Sequence, residues 1–363
     1  MVQKTRVGIR GVTGHFATGL LHKMRNRNCM VASVGIVRDD PTLWRVVKAI
    51  GTAPKKKKRS LRGFFPKLMV LECEGNGARK RVEEINNSQN IFKFVPACDF
   101  NPNKECDIIV DVTRGARKPV EVQYEGFVRN KPAVVVLDTG KSESFRGRLI
   151  VPPFVEAAEK NNVWRLGDCV VGAISCLLSG MKETLGGKIR KINTTIFCIL
   201  DARVEDNFIL PERAHSIYFK APPADLVEKC LKKDMEKVFE GCKVEKPVLL
   251  QAHSLNDYAL VLRVSISGMK LSKGDVLMML QENPHVFIAP EGMTSTFDMD
   301  FGIRRLLGFI GDDLPPIVPF SNSVEVVSRM GGTDVVIRAA VRYADIGPVV
   351  CIDAIRNIMS SHT

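Results

Sequence analysis

Three consecutive stretches decide the fold: Arg6-Val-Gly-Ile-Arg10, Gly11-Val-Thr-Gly-His-Phe-Ala17 and Met30-Val-Ala-Ser-Val-Gly-Ile-Val37. The first is a short β-leaning run. The second breaks it with two glycines, after which Leu20, Leu21 and Met24 recur at helical spacing. The third is continuous and apolar, as a parallel strand covered on both faces must be. Strand, tight turn, helix and strand within about 30 residues make a βαβ unit.

The same alternation continues outward. Asp107-Ile-Ile-Val-Asp-Val-Thr113 reads as another buried strand, Pro119 to Arg129 as a helix, and Pro132-Ala-Val-Val-Val-Leu-Asp138 as a third clear strand. These predict an α/β, doubly wound Rossmann sheet. Pro54-Lys-Lys-Lys-Lys-Arg-Ser-Leu-Arg62 interrupts it as a basic loop. Near residue 165 the character changes. A helix is predicted from Val170 to Leu185, then β-leaning runs over Ile192–Val204, Val248–Leu250 and Tyr258–Ile266, with helices around Ala224–Met235 and Gly274–Gln281. Ser323–Ser328 and Thr333–Val341, joined through Gly331-Gly332, predict a β-hairpin. The expected organisation is a dinucleotide-binding domain over residues 1–167, completed by a C-terminal helix over 345–363. An α+β domain with a large, mostly antiparallel sheet fills 168–344.

Composition agrees. The 363 residues suit two domains, and 45% hydrophobic with 26% charged residues excludes wholesale disorder. The net charge of +13 is uneven: residues 1–150 hold 29 Lys+Arg against 14 Asp+Glu, whereas 151–363 hold 24 against 26. Such asymmetry predicts a basic face for phosphate-bearing partners, a small ligand or nucleic acid. No run of 18 apolar residues occurs and the start lacks a signal-peptide core, so no membrane partner is expected. Ten irregularly spaced cysteines without a C-x-x-C pair fit thiols of a reducing cytoplasm, with no metal site.

Gly11, Thr13, Gly14 and Ala17 follow a strand and open a helix. Glycines let backbone approach a pyrophosphate, and a helix N-terminus offers free N–H donors, so these residues are candidate ligands of a dinucleotide. A ligand-free βα turn favours glycine too. The second strand ends Val37-Arg38-Asp39-Asp40. An acidic residue there suits a ribose and an arginine a 2′-phosphate, so Arg38 favours NADP over NAD; a solvated charge cluster would leave the same trace. Further on, Cys169 sits where a strand meets a helix, in Gly167-Asp-Cys-Val-Val-Gly-Ala-Ile-Ser-Cys176. A helix N-terminus stabilises a thiolate, the form a nucleophile needs, whereas a neighbouring Asp168 opposes it. A buried structural cysteine is the plainer alternative.

This order of parts resembles the glyceraldehyde-3-phosphate dehydrogenase superfamily, most closely its archaeal-type branch. Asp107–Thr113 is similar to that branch's D-I-V-V-D-A-T strand, and Cys169 falls where the family has its nucleophile motif. Thr294-Ser-Thr296 with Gly302-Ile-Arg-Arg-Leu-Leu-Gly308 resembles the S-T-A…A-R-D-L-G stretch, and Ile352-Asp-Ala-Ile-Arg356 the ending E-N-I-D-A-I-R. The resemblance covers nearly the whole chain. It implies an NAD(P) cofactor with Thr113 beside it, a small phosphorylated aldehyde as substrate, a homo-oligomer, and a thiohemiacetal on Cys169 with a histidine as base. The sequence departs from the family at that centre. Val170-Val171-Gly172 replaces polar residues, Lys220–Asp225 stands where the catalytic histidine is expected, and Cys351 replaces the asparagine for the nicotinamide amide. His215, or else His253, is the nearest candidate base.

Two functions follow. One is an NAD(P)-dependent phosphorylating aldehyde dehydrogenase. The other is a catalytically degenerate homologue whose basic Rossmann domain binds RNA or a ribosome through Lys55, Lys56, Lys57, Lys58, Arg59 and Arg62, because each neutralised phosphate releases counterions.

Overall fold

A computed structural model describes residues 4–12, 14–25, 30–39, 43–44, 47–48, 52, 54, 56, 65–73, 77–113, 133–137, 148–155, 163–199, 217–218, 224–252, 258–293 and 315–360. The chain divides into two compact units. One comprises Met1–Ile150, Val155–Leu166 and Cys351–Thr363, the other Val151–Phe154 and Gly167–Val350.

The first unit is built on nine strands: β1 (Thr5–Arg10), β2 (Met30–Arg38), β3 (Leu68–Glu72), β4 (Lys93–Pro96), β5 (Ile108–Asp111), β6 (Ala133–Leu137), β7 (Arg148–Val151), β8 (Phe154–Val155) and β9 (Val163–Leu166). Their order is β4-β3-β2-β1-β5-β6-β9-β7-β8. Pairings run parallel from β4 through β9 to β7. Strand order reverses beside β1, which pairs β2 on one side and β5 on the other. The crevice at such a switch point, outside the carboxyl ends of the strands, is where open α/β sheets bind ligands.

The apolar runs read as strands are the core. Val7, Ile9, Val34, Ile108, Ile109 and Val110 are fully buried. Two glycines are required by close packing: a Cβ on Gly8 would lie 2.7 Å from Cys106 Sγ, and one on Gly35 2.7 Å from Met69 Sδ. Helix α1 (His15–Arg25) buries Leu20, Leu21 and Met24, the residues whose spacing predicted it. The sequence reading did not include β3, β4 or helix α2 (Ala78–Ser88). The two strands are short, and all three elements follow the basic stretch. Met69, Val70 and Leu71 are buried because β2 and β4 flank them, which local pattern does not reveal. The helix expected over Pro119–Arg129 lies outside the described residues.

The second unit has a mixed sheet of β10 (Ile189–Ile199), β11 (Ile217–Tyr218), β12 (Lys243–Val244), β13 (Val248–Ala252), β14 (Tyr258–Ser267), β15 (Ile317–Pro319), β16 (Glu325–Arg329) and β17 (Gly332–Val341). It is mostly antiparallel, as expected, with β12 and β13 parallel to β10. The glycine-joined hairpin forms β16 and β17 with Arg329 opposite Gly332, and Gly331 at φ +89° turns the chain. The helices of this region are α4 (Cys169–Leu185), α5 (Ala224–Val238) and α6 (Lys273–Gln281); α7 (Tyr343–Ser360) ends the described chain. The short helix α3 (Pro102–Glu105) precedes β5 in the first unit. Among the described residues one helix, Cys169–Lys188, is long and apolar enough to cross a membrane, but 72% of its apolar window is buried inside the protein, so it serves as a core helix.

Candidate active site

The glycine turn has the geometry that a phosphate cradle needs. Gly11 adopts φ +79° and donates its N–H to Ile36 O at 2.8 Å, which ties the turn to the end of β2. Gly14 N donates to Gly11 O at 2.9 Å and Gly14 is exposed. Thr18 N then donates to Gly14 O at 3.0 Å, starting the helical ladder. The first turn of α1 contains no acidic residue, so its free N–H groups and the positive end of the dipole are left for an anion. Ala17 is fully buried beneath the turn, packing the helix on the sheet. Thr13 lies outside the described residues.

Four neighbouring strands end in charged residues at this edge: Glu72 on β3, Arg38 on β2, Arg10 on β1 and Asp111 on β5. Arg10, only 5% exposed, bridges the row. Its Nε and Nη2 donate to Glu72 Oε1 at 2.9 Å and Oε2 at 3.0 Å, and its Nη1 to Asp111 Oδ2 at 2.8 Å and Thr113 Oγ1 at 3.1 Å. Thr113 in turn donates its hydroxyl to Asp111 Oδ1 at 2.6 Å and its N–H to the same oxygen at 2.9 Å. Its methyl would lie 3.0 Å from a Cβ on Gly11. Thr113 therefore abuts the turn with its hydroxyl held inside the protein. The sequence reading missed Arg10, Glu72 and Asp111 as a unit. The available signal was a charged residue closing an otherwise apolar strand, but its partners lie 62 and 101 residues away.

Arg38 is exposed, its Nε 4.0 Å from Glu72 Oε2. The adjacent Asp39 accepts from Trp44 Nε1 at 2.6 Å and meets Arg81 Nε at 3.3 Å, with the Arg81 guanidinium 5.1 Å over the Trp44 ring.

In the second unit Cys169 opens α4, as its position in the sequence predicts. Asp168 is the N-cap, its Oδ1 accepting from Val170 N at 2.8 Å. The Cys169 thiol lies 3.3 Å from Tyr258 Oη, where either atom can donate, and 3.6 Å from Asp168 Oδ1. Of the two opposed influences read from the sequence, the Asp168 carboxylate prevails over the helix terminus. Burial, and then the Asp168 carboxylate, push the thiol well above its ordinary value, and the Tyr258 hydrogen bond opposes them only in part. The helix terminus does not win, because Asp168 already occupies it as a negatively charged cap. Tyr258, the first residue of β14, carried no separate signal in a β-leaning run. Among the described residues no histidine hydrogen-bonds Cys169; His215 and His253 lie outside them. Cys351 is fully buried, its thiol pushed up to about 12 by burial. Val170 and Val171 are buried in the core rather than presented as polar contacts.

Of the basic run, Lys56 is exposed, whereas Lys55, Lys57, Lys58, Arg59 and Arg62 lie outside the described residues. Phe65 meets Phe92 edge-on at 6.1 Å, and the chain continues through Lys67 into β3. Lys67 and Lys93 are exposed neighbours, with Lys93 N donating to Lys67 O at 2.9 Å, at the amino ends of β3 and β4. This is the opposite end of those strands from the Arg10 row. No cluster of metal-ligating side chains occurs among the described residues.

No protein-family model and no curated protein matches the sequence. Solved structures share the fold along its whole length. Aspartate semialdehyde dehydrogenase II from Vibrio cholerae is 12% identical with a TM-score of 0.64, over 99% of this chain and 100% of that one. A probable aspartate-semialdehyde dehydrogenase from Pseudomonas aeruginosa is 11% identical with a TM-score of 0.63, over 99% and 100%. Aspartate semialdehyde dehydrogenase with NADP from Candida albicans is 13% identical with a TM-score of 0.59, over 98% and 100%. The two-domain dehydrogenase fold read from the sequence is the fold of these enzymes. At such identities what is shared is the fold.

Proposed function

We propose that this chain is an NADP-dependent dehydrogenase that acts on an aldehyde. The observation that carries the reading is the Gly11–Gly14 turn at the carboxyl end of β1, open at Gly14 and facing the N-terminus of α1, with exposed Arg38 at the end of β2. Gly11, Gly14 and the first turn of α1 would hold the pyrophosphate, and Arg38 the 2′-phosphate. NADP, when bound, supplies the acceptor for hydride. The fold shared with semialdehyde dehydrogenases, one of them holding NADP, supports the same assignment. A phosphorylated aldehyde and an amino-acid semialdehyde are the two substrate classes that the resemblance and the fold suggest.

Cys169 is the nucleophile in this reading. Its thiol is protonated, so addition to the carbonyl carbon must move that proton. The Tyr258 hydroxyl at 3.3 Å relays it: the S–H proton passes to Tyr258 Oη while the phenolic proton passes to the carbonyl oxygen. The S–C bond forms, the C=O π bond opens, and a neutral thiohemiacetal results. His215 and His253 remain candidate bases for the step that follows.

The test is NADP reduction by the full chain with glyceraldehyde 3-phosphate plus phosphate, and with aspartate semialdehyde, alongside Cys169→Ser. Turnover with either aldehyde that is lost in Cys169→Ser supports the proposal. Equal rates for both proteins remove Cys169 from the chemistry, and an absence of NADPH binding removes the dehydrogenase reading.

A second reading, binding of RNA or a ribosome, is favoured by one observation. The exposed Lys67–Lys93 pair lies at the amino edge of the sheet, with Lys67 close after the basic run in sequence, so a polyanion there would not compete with a cofactor at the carboxyl edge. Replacing Lys67 and Lys93 with alanine should weaken RNA binding and reduce the salt slope by about one per lysine. Unchanged binding removes that edge from the account.

A further inference from the structure

Every carboxylate described at the β2 and β3 ends is held by an arginine. Asp39 is engaged by Arg81 and Trp44, and Glu72 by the two-pronged contact with Arg10. The two guanidinium contacts to Glu72 are unequal. Arg10 is buried and meets both oxygens at hydrogen-bonding distance, whereas Arg38 is exposed and sits 4.0 Å away. Planar bidentate pairs are the stronger and more directional ones, so Arg10 takes the carboxylate and Arg38 keeps its charge for solvent or a ligand. Asp111, on the other side, holds Arg10 in place at 2.8 Å.

We propose that Arg10 is a positioning residue that sets the cofactor preference: by engaging both oxygens of Glu72 it keeps that carboxylate from drawing Arg38 inward, leaves Arg38 available to a 2′-phosphate, and so selects NADP over NAD. The inference rests on the dinucleotide reading above. Without the Arg10 fork, Glu72 would draw Arg38 inward and stand as a free negative charge beside the phosphate. A nucleotide with a bare 2′-hydroxyl would not be affected.

The dissociation constants of NADPH and NADH, measured by fluorescence titration of the full chain, test this. Arg10→Lys keeps the charge and the pairing with Asp111 but loses the planar fork. It should weaken NADPH about tenfold and leave NADH within about twofold, because one charge at a partly exposed site carries roughly that much. In a Glu72→Gln background the same change should no longer alter the ratio. Equal weakening of both nucleotides marks a structural role and overturns the inference, as does an unchanged ratio or a wild-type preference for NADH. If Arg10→Lys fails to fold, Glu72→Asp withdraws the carboxylate from the fork and should give the same selective loss; no such loss overturns it. Wild-type protein that binds neither nucleotide defeats the cofactor reading itself, which is distinct from a defeat of Arg10 alone.

Discussion

Two glycines three residues apart should fail in different ways when each is given one methyl group. Gly11 has φ +79°, where an L-residue is about 1–2 kcal/mol less stable. Its Cβ would also lie 3.0 Å from Thr113 Cγ2 and 3.1 Å from Val112 Cγ2, well inside the 3.5–4.0 Å optimum, adding about 1 kcal/mol. Gly11→Ala should thus lose about 2–3 kcal/mol, or about 4–12 °C in Tm for a unit of this size. Gly14 has no positive φ, and its added Cβ would meet only Gly11 O at 3.1 Å. Its stability cost should stay below about 1 kcal/mol. In the proposed dinucleotide reading, however, that methyl stands where a phosphate oxygen approaches the N-terminus of α1. Losing one charge-assisted hydrogen bond costs about 1.5–3 kcal/mol, or about 10–150-fold in affinity. Thermal unfolding by circular dichroism and NADPH titration read the two effects separately. Gly14→Ala that binds NADPH as the wild type does would refute the placement of the pyrophosphate on this turn.

Other outcomes follow from the same geometry. Because burial and Asp168 hold the Cys169 thiol protonated, its alkylation by iodoacetamide should be slow at pH 7 and still rising above pH 9; a rate plateau below neutrality would show an activated thiolate instead. Two thiols raised by desolvation should also set an alkaline limit to stability. Cys73 and Cys106 are raised from 9.0 to about 11, so the folded state binds their protons more tightly. The stabilisation is present below pH 9 and is lost as the pH climbs from 9 to 11. Denaturant midpoints should fall over that window, and Cys106→Ala should reduce the slope. Lys182, its pKa lowered by burial, donates to Val238 O at 2.6 Å and sits 3.8 Å over the Phe154 ring. Lys182→Met should cost about 1–2 kcal/mol by chemical denaturation through the lost hydrogen bond and cation–π contact, and no loss would show that the stem alone packs there.

The glycine turn was legible because strand, break and helix are local events, written within a few residues of one another. Leu20, Leu21 and Met24 announced the buried face of α1 by spacing alone, and the hairpin at Gly331-Gly332 announced itself through turn residues. Short strands such as β3 were not legible, since their burial comes from neighbours on both sides. The cysteine was placed correctly at the start of α4, and the sequence offered one influence for the thiolate, the helix terminus, and one against it, Asp168. A helix terminus lowers a thiol's pKa in general, and only the enclosure of Cys169 with Asp168 as cap reverses the sign here.

Sequence by itself determined the opening strand, turn, helix and strand, the parallel core and the position of the glycine turn, because these depend on side-chain periodicity and on where glycine interrupts it. The tertiary structure alone decided which charges meet. Arg10 is separated by 62 residues from Glu72 and by 101 from Asp111, and only the reversal of strand order beside β1 brings all three to one edge. The same holds for Tyr258 beside Cys169, 89 residues apart. Electrostatics at a site depends on distance and burial, and a linear pattern specifies neither for residues so far apart.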